Sequence, residues 1–164
     1  MDYVTRYLSP LGGITLKSDG AALTGLDFDA GEISGTCAAR DVPALEETVR
    51  WLNIYFSGRA PDFTPPLSME GTPFRRAVWK LLLNVPYGRT TTYGELARKL
   101  AAEFGLPRMS AQAVGGAVGH NPVAIIVPCH RVIGADGSLT GYAAGLDKKT
   151  ALLTLEGISV KTQV

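Results

Sequence analysis

The chain has 164 residues and a formal net charge of +1, and its 46% hydrophobic and 19% charged residues are ordinary for a globular protein of one domain or two small ones. No apolar stretch approaches the roughly 18 residues that cross a bilayer, and the first residues lack the layout of a signal peptide, so we expect no membrane association and a cytoplasmic location. Two cysteines and two histidines offer neither a disulfide framework nor zinc-ligand spacing, so neither a metal site nor a cofactor is predicted.

The first part of the chain predicts a small antiparallel sheet followed by a helix. Three short strand candidates are separated by turns rich in glycine and serine, at residues 3–8, 14–17 and 23–28. Pro43 then opens a helix that ends at Ser57 and Gly58. The Pro-rich segment 61–66 is the predicted linker, so an N-terminal α/β domain over residues 1–71 precedes a C-terminal domain over residues 72–164.

The second part of the chain is predicted to be mostly helical. Thr72 and Pro73 form a capped helix start, and two shorter helices follow, one from Thr92 to about residue 102 and one from Ser110 to about residue 118. Their glycine-containing connection favours a helix-turn-helix, although a plain helical hairpin fits the same pattern. A strand over residues 123–127, a glycine-rich loop and a last helix near residues 148–155 complete the prediction.

Charge is divided unequally between these two parts. Residues 1–71 hold 5 Lys and Arg against 10 Asp and Glu, a net charge of −5, whereas residues 72–164 hold 11 against 5, a net charge of +6. A basic part beside an acidic part is typical of a chain that meets a polyanion with one part only. A basic face that is merely solvated gives the same pattern.

A cysteine and a histidine stand next to each other after an apolar run that ends in proline. The thiolate of Cys129 would be the nucleophile, and His130 can take its proton, directly or through a water. A histidine in that role needs a carboxylate or carbonyl to fix its tautomer, and Glu156 at the end of the last helix is the best candidate by position. A buried cysteine that serves only as a small hydrophobe is the alternative for Cys129, and Cys37 has no predicted chemical role.

The longer string around this pair carries a specific resemblance. Residues 121–132 read Asn-Pro-Val-Ala-Ile-Ile-Val-Pro-Cys-His-Arg-Val, which resembles the active-site signature of the O6-alkylguanine-DNA alkyltransferases. The similarity continues at residues 134–142, 146–149 and 155–157, and upstream at residues 72–74, 85–88 and 92–94. It covers nearly all of residues 72–164, whereas residues 1–71 match more loosely.

This resemblance implies an α+β fold, with a ribonuclease H-like sheet and helix before a mostly helical domain that carries a helix-turn-helix. It also implies a monomeric DNA repair protein that binds double-stranded DNA through the minor groove. Such a protein flips O6-alkylguanine out of the duplex and transfers the alkyl group irreversibly to its own cysteine. O4-alkylthymine is a further candidate substrate.

The resemblance implies a catalytic role for five residues. Cys129 would accept the alkyl group, and His130 and Glu156 would activate the thiol through a bridging water. Asn121 would brace the turn that joins the recognition helix, which is the second short helix over residues 110–118, to the active-site strand. Tyr93 would crowd the target phosphate and donate a hydrogen bond to N3 of the leaving guanine. Arg131 is expected to fix local structure.

The same resemblance implies a guanine pocket built largely from backbone groups. The carbonyls of Cys129 and Val132 would accept from the exocyclic amine, the N–H of Ala143 would donate to O6, and Tyr142 would form a wall. Ala144 stands where glycine is frequent in the family, so a pocket narrowed against bulky adducts is expected.

The DNA-binding residues implied by the resemblance lie mainly on the second short helix: Thr92, Ser110, Gln112, Ala113, Gly115 and Gly116. Two glycines inside a helix cost about 1 kcal/mol each relative to alanine, so they need a reason, and a close approach of the helix backbone to DNA supplies one. A tight contact between helices is the alternative. Gln112 stands where many relatives carry an arginine that fills the gap left by the flipped base.

Two other function classes fit parts of the sequence. One is a helix-turn-helix protein that binds DNA without transferase activity. The other is a cysteine hydrolase or thiol redox protein built on Cys129 and His130. Single labelling of Cys129 by alkylated DNA separates the transferase from both.

Overall fold

The computed structural model describes residues 2–28 and 35–160, which divide into two compact units. The first unit is Met1–Glu70 together with Pro122–Ala124, and the second is Gly71–Asn121 together with Ile125–Val164. None of the helices in the described residues combines the length and apolar character that a membrane span requires.

The first unit contains an antiparallel sheet in the order β1-β2-β3 and one long helix. The strands are β1 (Tyr3–Ser9), β2 (Gly12–Ser18) and β3 (Leu23–Phe28), and helix α1 spans Pro43–Phe56 after a single 3-10 turn at Ala39–Asp41. Apolar residues of β2 and β3 are fully buried, as are the apolar residues of one face of α1. These residues are Ile14, Leu16, Leu23, Leu26, Leu45, Leu52 and Tyr55.

Two segments from elsewhere in the chain add bridges to β3. The N–H of Leu23 donates to the carbonyl of Pro66 at 2.7 Å. The N–H of Leu26 donates to the carbonyl of Pro122 at 2.9 Å, and the N–H of Ala124 donates back to Leu26 at 3.0 Å. These bonds explain why Pro122–Ala124 belong to the first unit, an assignment that the linear sequence does not suggest.

The strand predicted over residues 123–127 is wrong. Only Val123 makes a bridge, to Leu26, and residues 124–126 form a turn. Ile125 has φ +70°, in the left-handed region, which a β-branched residue rarely adopts and which ends the extended conformation. The apolar run reflects burial of the turn, because Val123, Ile125 and Val127 are all fully buried.

In its described residues, the second unit contains four α-helices and one short pair of parallel strands. The helices are α2 (Pro73–Leu83), α3 (Tyr93–Glu103), α4 (Ala111–Gly119) and α5 (Leu146–Leu155), and the strands are β4 (Thr91–Thr92) and β5 (Val132–Ile133). Helices α3 and α4 pack against each other and against α2, and form the predicted helix-turn-helix. The predicted α+β fold class is confirmed.

Capping hydrogen bonds explain where three of these helices begin. The side-chain oxygens of Thr72, Thr92 and Ser110 each accept from the backbone N–H three residues later, at 3.1, 3.1 and 3.2 Å. The indole N–H of Trp79 on α2 donates to the carbonyl of Ala117 on α4 at 2.9 Å, and this bond ties the second helix of the helix-turn-helix to the core.

Candidate active site

Cys129 lies at the start of a single 3-10 turn, Cys129–Arg131, and is 9% exposed. Its backbone N–H donates to the carbonyl of Val127 at 2.8 Å, which closes the turn before it. Burial raises the pKa of the Cys129 thiol, whereas the Asn121 amide, the Lys149 ammonium group and nearby backbone N–H groups act in the opposite direction. The thiol is therefore the resting form, and a base must remove its proton before it can attack.

Glu156 connects the segments that form this site. It caps the C-terminal end of α5, and its carboxylate accepts three hydrogen bonds. Nε2 of His130 donates to Oε2 at 2.6 Å, Nε of Arg131 donates to Oε1 at 2.7 Å, and the backbone N–H of Gly88 donates to Oε1 at 3.0 Å. Three segments that are distant in sequence thus meet at one buried carboxylate.

The negative charge of the Glu156 carboxylate is compensated by a buried cation. The guanidinium of Arg131 pairs with Glu156 and also donates from Nη1 to the carbonyl of Val85 at 2.7 Å. Burial lowers the pKa of His130, although the Glu156 carboxylate acts in the opposite direction. His130 is therefore neutral with its proton on Nε2, which makes Nδ1 the basic nitrogen of the ring.

Asn121 follows directly after α4 and crosses the turn that precedes the cysteine. Its amide nitrogen donates to the carbonyl of Val127 at 2.8 Å. The amide also contributes to lowering the pKa of the Cys129 thiol. Asn121 thus holds the shape of the turn at residues 122–127.

Lys149 is a residue that the sequence reasoning missed. Its side chain is fully buried, and burial lowers its pKa to about 8. Nζ donates to the carbonyl of Val132 at 2.6 Å and to that of Thr140 at 3.1 Å. The sequence pattern that could have revealed its burial is helical spacing. One face of the last helix carries four residues at helical intervals, all of them buried: Lys149, Leu152, Leu153 and Glu156.

The residues predicted to line a guanine pocket lie in the segment before α5. Tyr142 and Ala144 are half-buried and Ala143 is exposed. Gly145 caps α5 with φ +105°, a backbone conformation that residues with a side chain rarely adopt, so this turn requires glycine. The carbonyl of Val132, predicted to accept from guanine, already accepts from Lys149 and keeps a second lone pair.

Tyr93 is the first residue of α3 and is half-buried. Its hydroxyl is hydrogen-bonded to Oγ1 of Thr140 at 2.8 Å. Its ring lies against α4, since a side chain added at Gly115 would contact it at 3.7 Å. Ser110, Gln112, Ala113 and Gly116 are exposed in and just before α4, and Thr92 caps α3.

Among the described residues, no group of three or more histidine, cysteine, aspartate or glutamate side chains could hold a metal ion. The carboxylate of Glu156 is committed to two side chains and one backbone group, all of which are donors.

Two family models match the chain in succession. The ribonuclease-like domain of 6-O-methylguanine DNA methyltransferase matches residues 3–69, and the DNA binding domain of the same family matches residues 73–158. The chain belongs to the 6-O-methylguanine DNA methyltransferase family. The family and the enzyme class predicted from the sequence are thereby confirmed.

Individual relatives are similar over nearly their whole lengths. A Mycobacterium tuberculosis methylated-DNA--protein-cysteine methyltransferase is 48% identical over 150 residues, which cover 90% of this chain and 88% of that protein. A Methanosarcina acetivorans protein of the same name is 45% identical over 159 residues, which cover 94% of this chain and 98% of the relative.

Solved structures agree with this likeness. The crystal structure of Mycobacterium tuberculosis O6-methylguanine methyltransferase matches with a TM-score of 0.76 and 44% identity, and the match covers 95% of this chain and 93% of that one. The Mycobacterium tuberculosis protein OGT in complex with DNA matches with a TM-score of 0.79 and 45% identity, covering 94% and 92%.

Replacement of the buried carboxylate tests the tautomer of His130. In Glu156→Gln, the amide oxygen can still accept from Arg131 and Gly88, so the amide NH2 must face Nε2 of His130 and move the ring proton to Nδ1. We expect a decrease of about 3 kcal/mol in the free energy of unfolding, because the buried guanidinium loses its counter-ion. Nitrogen chemical shifts of His130 should report the change of tautomer, and alkyl transfer should slow by about 100-fold because Nδ1 is no longer basic.

Glu103→Gln, at an exposed carboxylate at the end of α3, is the matched control and should leave stability, tautomer and transfer unchanged. A folded Glu156→Gln protein with an unchanged tautomer and an unchanged transfer rate would remove Glu156 from the activation of the thiol.

Proposed function

We propose that this protein removes the alkyl group from O6-alkylguanine in double-stranded DNA by transferring it to Sγ of Cys129. The observation that carries the proposal is the buried thiol of Cys129, followed in sequence by a neutral histidine whose Nε2 is held by the Glu156 carboxylate at 2.6 Å. The name that the relatives share, methylated-DNA--protein-cysteine methyltransferase, and the relative solved with DNA support it. O4-alkylthymine is a second candidate substrate of the same site.

The proposed reaction is a displacement at the alkyl carbon. Nδ1 of His130 takes the thiol proton, directly or through a water, and the sulfur attacks as the bond between the carbon and O6 breaks. The electron pair of that bond stays on the guanine, and the phenol of Tyr93 donates to N3 to stabilise the developing negative charge. The product is a thioether, which water does not cleave, so each molecule reacts once.

The burial of the thiol supports base flipping as part of this proposal. Cys129 is only 9% exposed, so its sulfur cannot reach a base that remains inside the duplex. An enzyme that acts on such a base rotates it out of the stack, at a cost of a few kcal/mol. The segment with Tyr142, Ala143 and Ala144 is the proposed receiving pocket.

The identity of the acceptor is tested by substitution of each cysteine in turn. Cys129→Ser should abolish methyl transfer from a duplex that contains O6-methylguanine, because a serine hydroxyl is a far weaker nucleophile at neutral pH, and DNA binding should remain. Cys37→Ser is the matched control and should keep full transfer. Intact-mass analysis counts the methyl groups added, and addition to Cys37 or to the Cys129→Ser protein would contradict the proposal.

We propose that the DNA interface is formed by α4 and by the groove beside it. Gln112, Ala113 and Gly116 are exposed, and their small neighbours let the helix backbone approach the minor groove closely. A groove of about 450 Å³ runs between α3 and the N-terminal end of α4. Half of its lining residues are glycine or alanine, and Arg98 and Arg108 also line it, with no carboxylate among the lining residues. Such a groove suits a sugar-phosphate backbone.

The salt dependence of binding tests this groove. The logarithm of the affinity of a monomer for duplex DNA should fall linearly with the logarithm of the salt concentration. Arg98→Gln and Arg108→Gln should each make this negative slope less steep by about 0.9, because each arginine neutralises one phosphate. Arg59→Gln, at an exposed arginine of the first unit, is the matched control and should leave the slope unchanged. If the arginine variants in the groove bind with the slope of the wild type, the phosphate backbone does not lie there.

Gln112 is the proposed occupant of the gap that a flipped base leaves. It is exposed near the N-terminal end of α4, and its neutral side chain is shorter than the arginine side chain of many family members. Gln112→Ala should slow transfer from duplex DNA by about 10-fold or more, because unstacking is no longer offset, but it should spare transfer from free O6-benzylguanine, which needs no flipping. Gln112→Arg should preserve or increase duplex repair.

Parallel single-turnover measurements on the two substrates decide the role of this residue. Equal slowing on both substrates by Gln112→Ala would mean that the residue is structural and does not enter the DNA.

A further inference from the structure

The hydrogen bond between Tyr93 and Thr140 joins two segments that are far apart in sequence. Tyr93 begins α3, and Thr140 lies in the segment between β5 and α5. Both residues are half-buried, and the oxygens of their hydroxyl groups are 2.8 Å apart. Either oxygen can be the donor, because both groups carry one proton and lone pairs.

Thr140 is itself held in place from the other side. Its backbone carbonyl accepts from Nζ of Lys149 at 3.1 Å, and the same ammonium group donates to the carbonyl of Val132 at 2.6 Å. Val132 directly follows the Cys129–Arg131 turn and pairs with Thr91, two residues before Tyr93. These contacts form a closed ring that leads from the cysteine turn through Lys149 and Thr140 to Tyr93 and back through the β4-β5 pair.

We infer that Thr140 is a positioning residue for alkyl transfer: its hydroxyl donates a hydrogen bond to the phenol oxygen of Tyr93 and so directs the phenol O–H, which donates a hydrogen bond to N3 of the leaving guanine. This inference rests on the proposed function, in which Tyr93 donates to N3. Thr140 itself touches neither the thiol nor the alkyl group in this account. It acts through the direction and strength of the donor on Tyr93.

The physical reason lies in what else restrains the tyrosine. The ring is placed by its packing beside Gly115 of α4 and by its position at the start of α3. Packing leaves the direction of the O–H bond undetermined, because that bond rotates. A threonine hydroxyl that donates to the phenol oxygen leaves the phenol proton to point away from Thr140, and a phenol that accepts a hydrogen bond is itself a stronger donor.

The experiment compares single-turnover transfer to Cys129 from two duplexes that differ at one atom. One contains O6-methylguanine, and the other contains 3-deaza-O6-methylguanine, in which a C–H group replaces N3. On the first duplex, Thr140→Val should slow transfer by about fivefold to tenfold, the rate equivalent of one net hydrogen bond. Thr140→Ser, which keeps the hydroxyl, should restore the rate to within about twofold of the wild type.

The effect of the valine substitution should disappear wherever the tyrosine donor has no function. On the 3-deaza duplex, the wild type and Thr140→Val should react at the same rate, and in a Tyr93→Phe background the valine substitution should slow transfer no further. Thr154→Val, at an exposed threonine of α5, is the matched control and should have no effect on either duplex. If Thr140→Val does not fold, Thr140→Ala takes its place in the same comparisons.

Three outcomes would overturn the inference. They are an unchanged rate in Thr140→Val, an equal slowing on the 3-deaza duplex or in the Tyr93→Phe background, and a serine variant as slow as the valine variant. Failure of the proposed function itself is distinguishable, because the wild type would then add no methyl group to Cys129 from either duplex.

Discussion

The buried carboxylate of Glu156 is the group on which the rest of this site depends. A carboxylate removed from water is costly unless its oxygens are filled by donors, and here an imidazole, a guanidinium and a backbone N–H fill them. Because these donors come from the cysteine turn and from the loop after α2, one residue at the end of α5 fixes both. The same carboxylate holds the His130 proton on Nε2 and so leaves Nδ1 as the base.

Burial and charge act against each other at Cys129. Burial raises the pKa of its thiol, while the Asn121 amide and the Lys149 ammonium group lower it. A resting thiol reacts slowly with oxidants and stray electrophiles. Under the proposed single-turnover reaction the low reactivity of the resting thiol protects the protein, because every unintended reaction would consume one molecule of it. Activation would then be confined to the moment when the alkylated base lies in the pocket.

Sequence reasoning succeeded where a local pattern has a local cause. The strands β1 to β3 lie between turns rich in glycine and serine, and the caps Thr72, Thr92 and Ser110 mark helix starts that the structure reproduces. The same reasoning failed over residues 123–127, because an apolar run reports burial and does not distinguish a strand from a buried turn. It also passed over Lys149, because a lysine on an apolar helix face is ordinarily interpreted as solvated.

The sequence by itself determined the chemical groups of this protein and their family. The Pro-Cys-His-Arg motif supplies the thiol, the imidazole and the guanidinium in consecutive residues, and the position of Glu156 at the end of the last helix indicates the carboxylate. Only the tertiary structure decided how these groups are connected: that the carboxylate serves both His130 and Arg131, that Asn121 spans the turn before the cysteine, and that Lys149 links Val132 to Thr140. The physical reason is that hydrogen bonds between distant segments depend on how the helices and loops pack together, which no short stretch of sequence encodes alone.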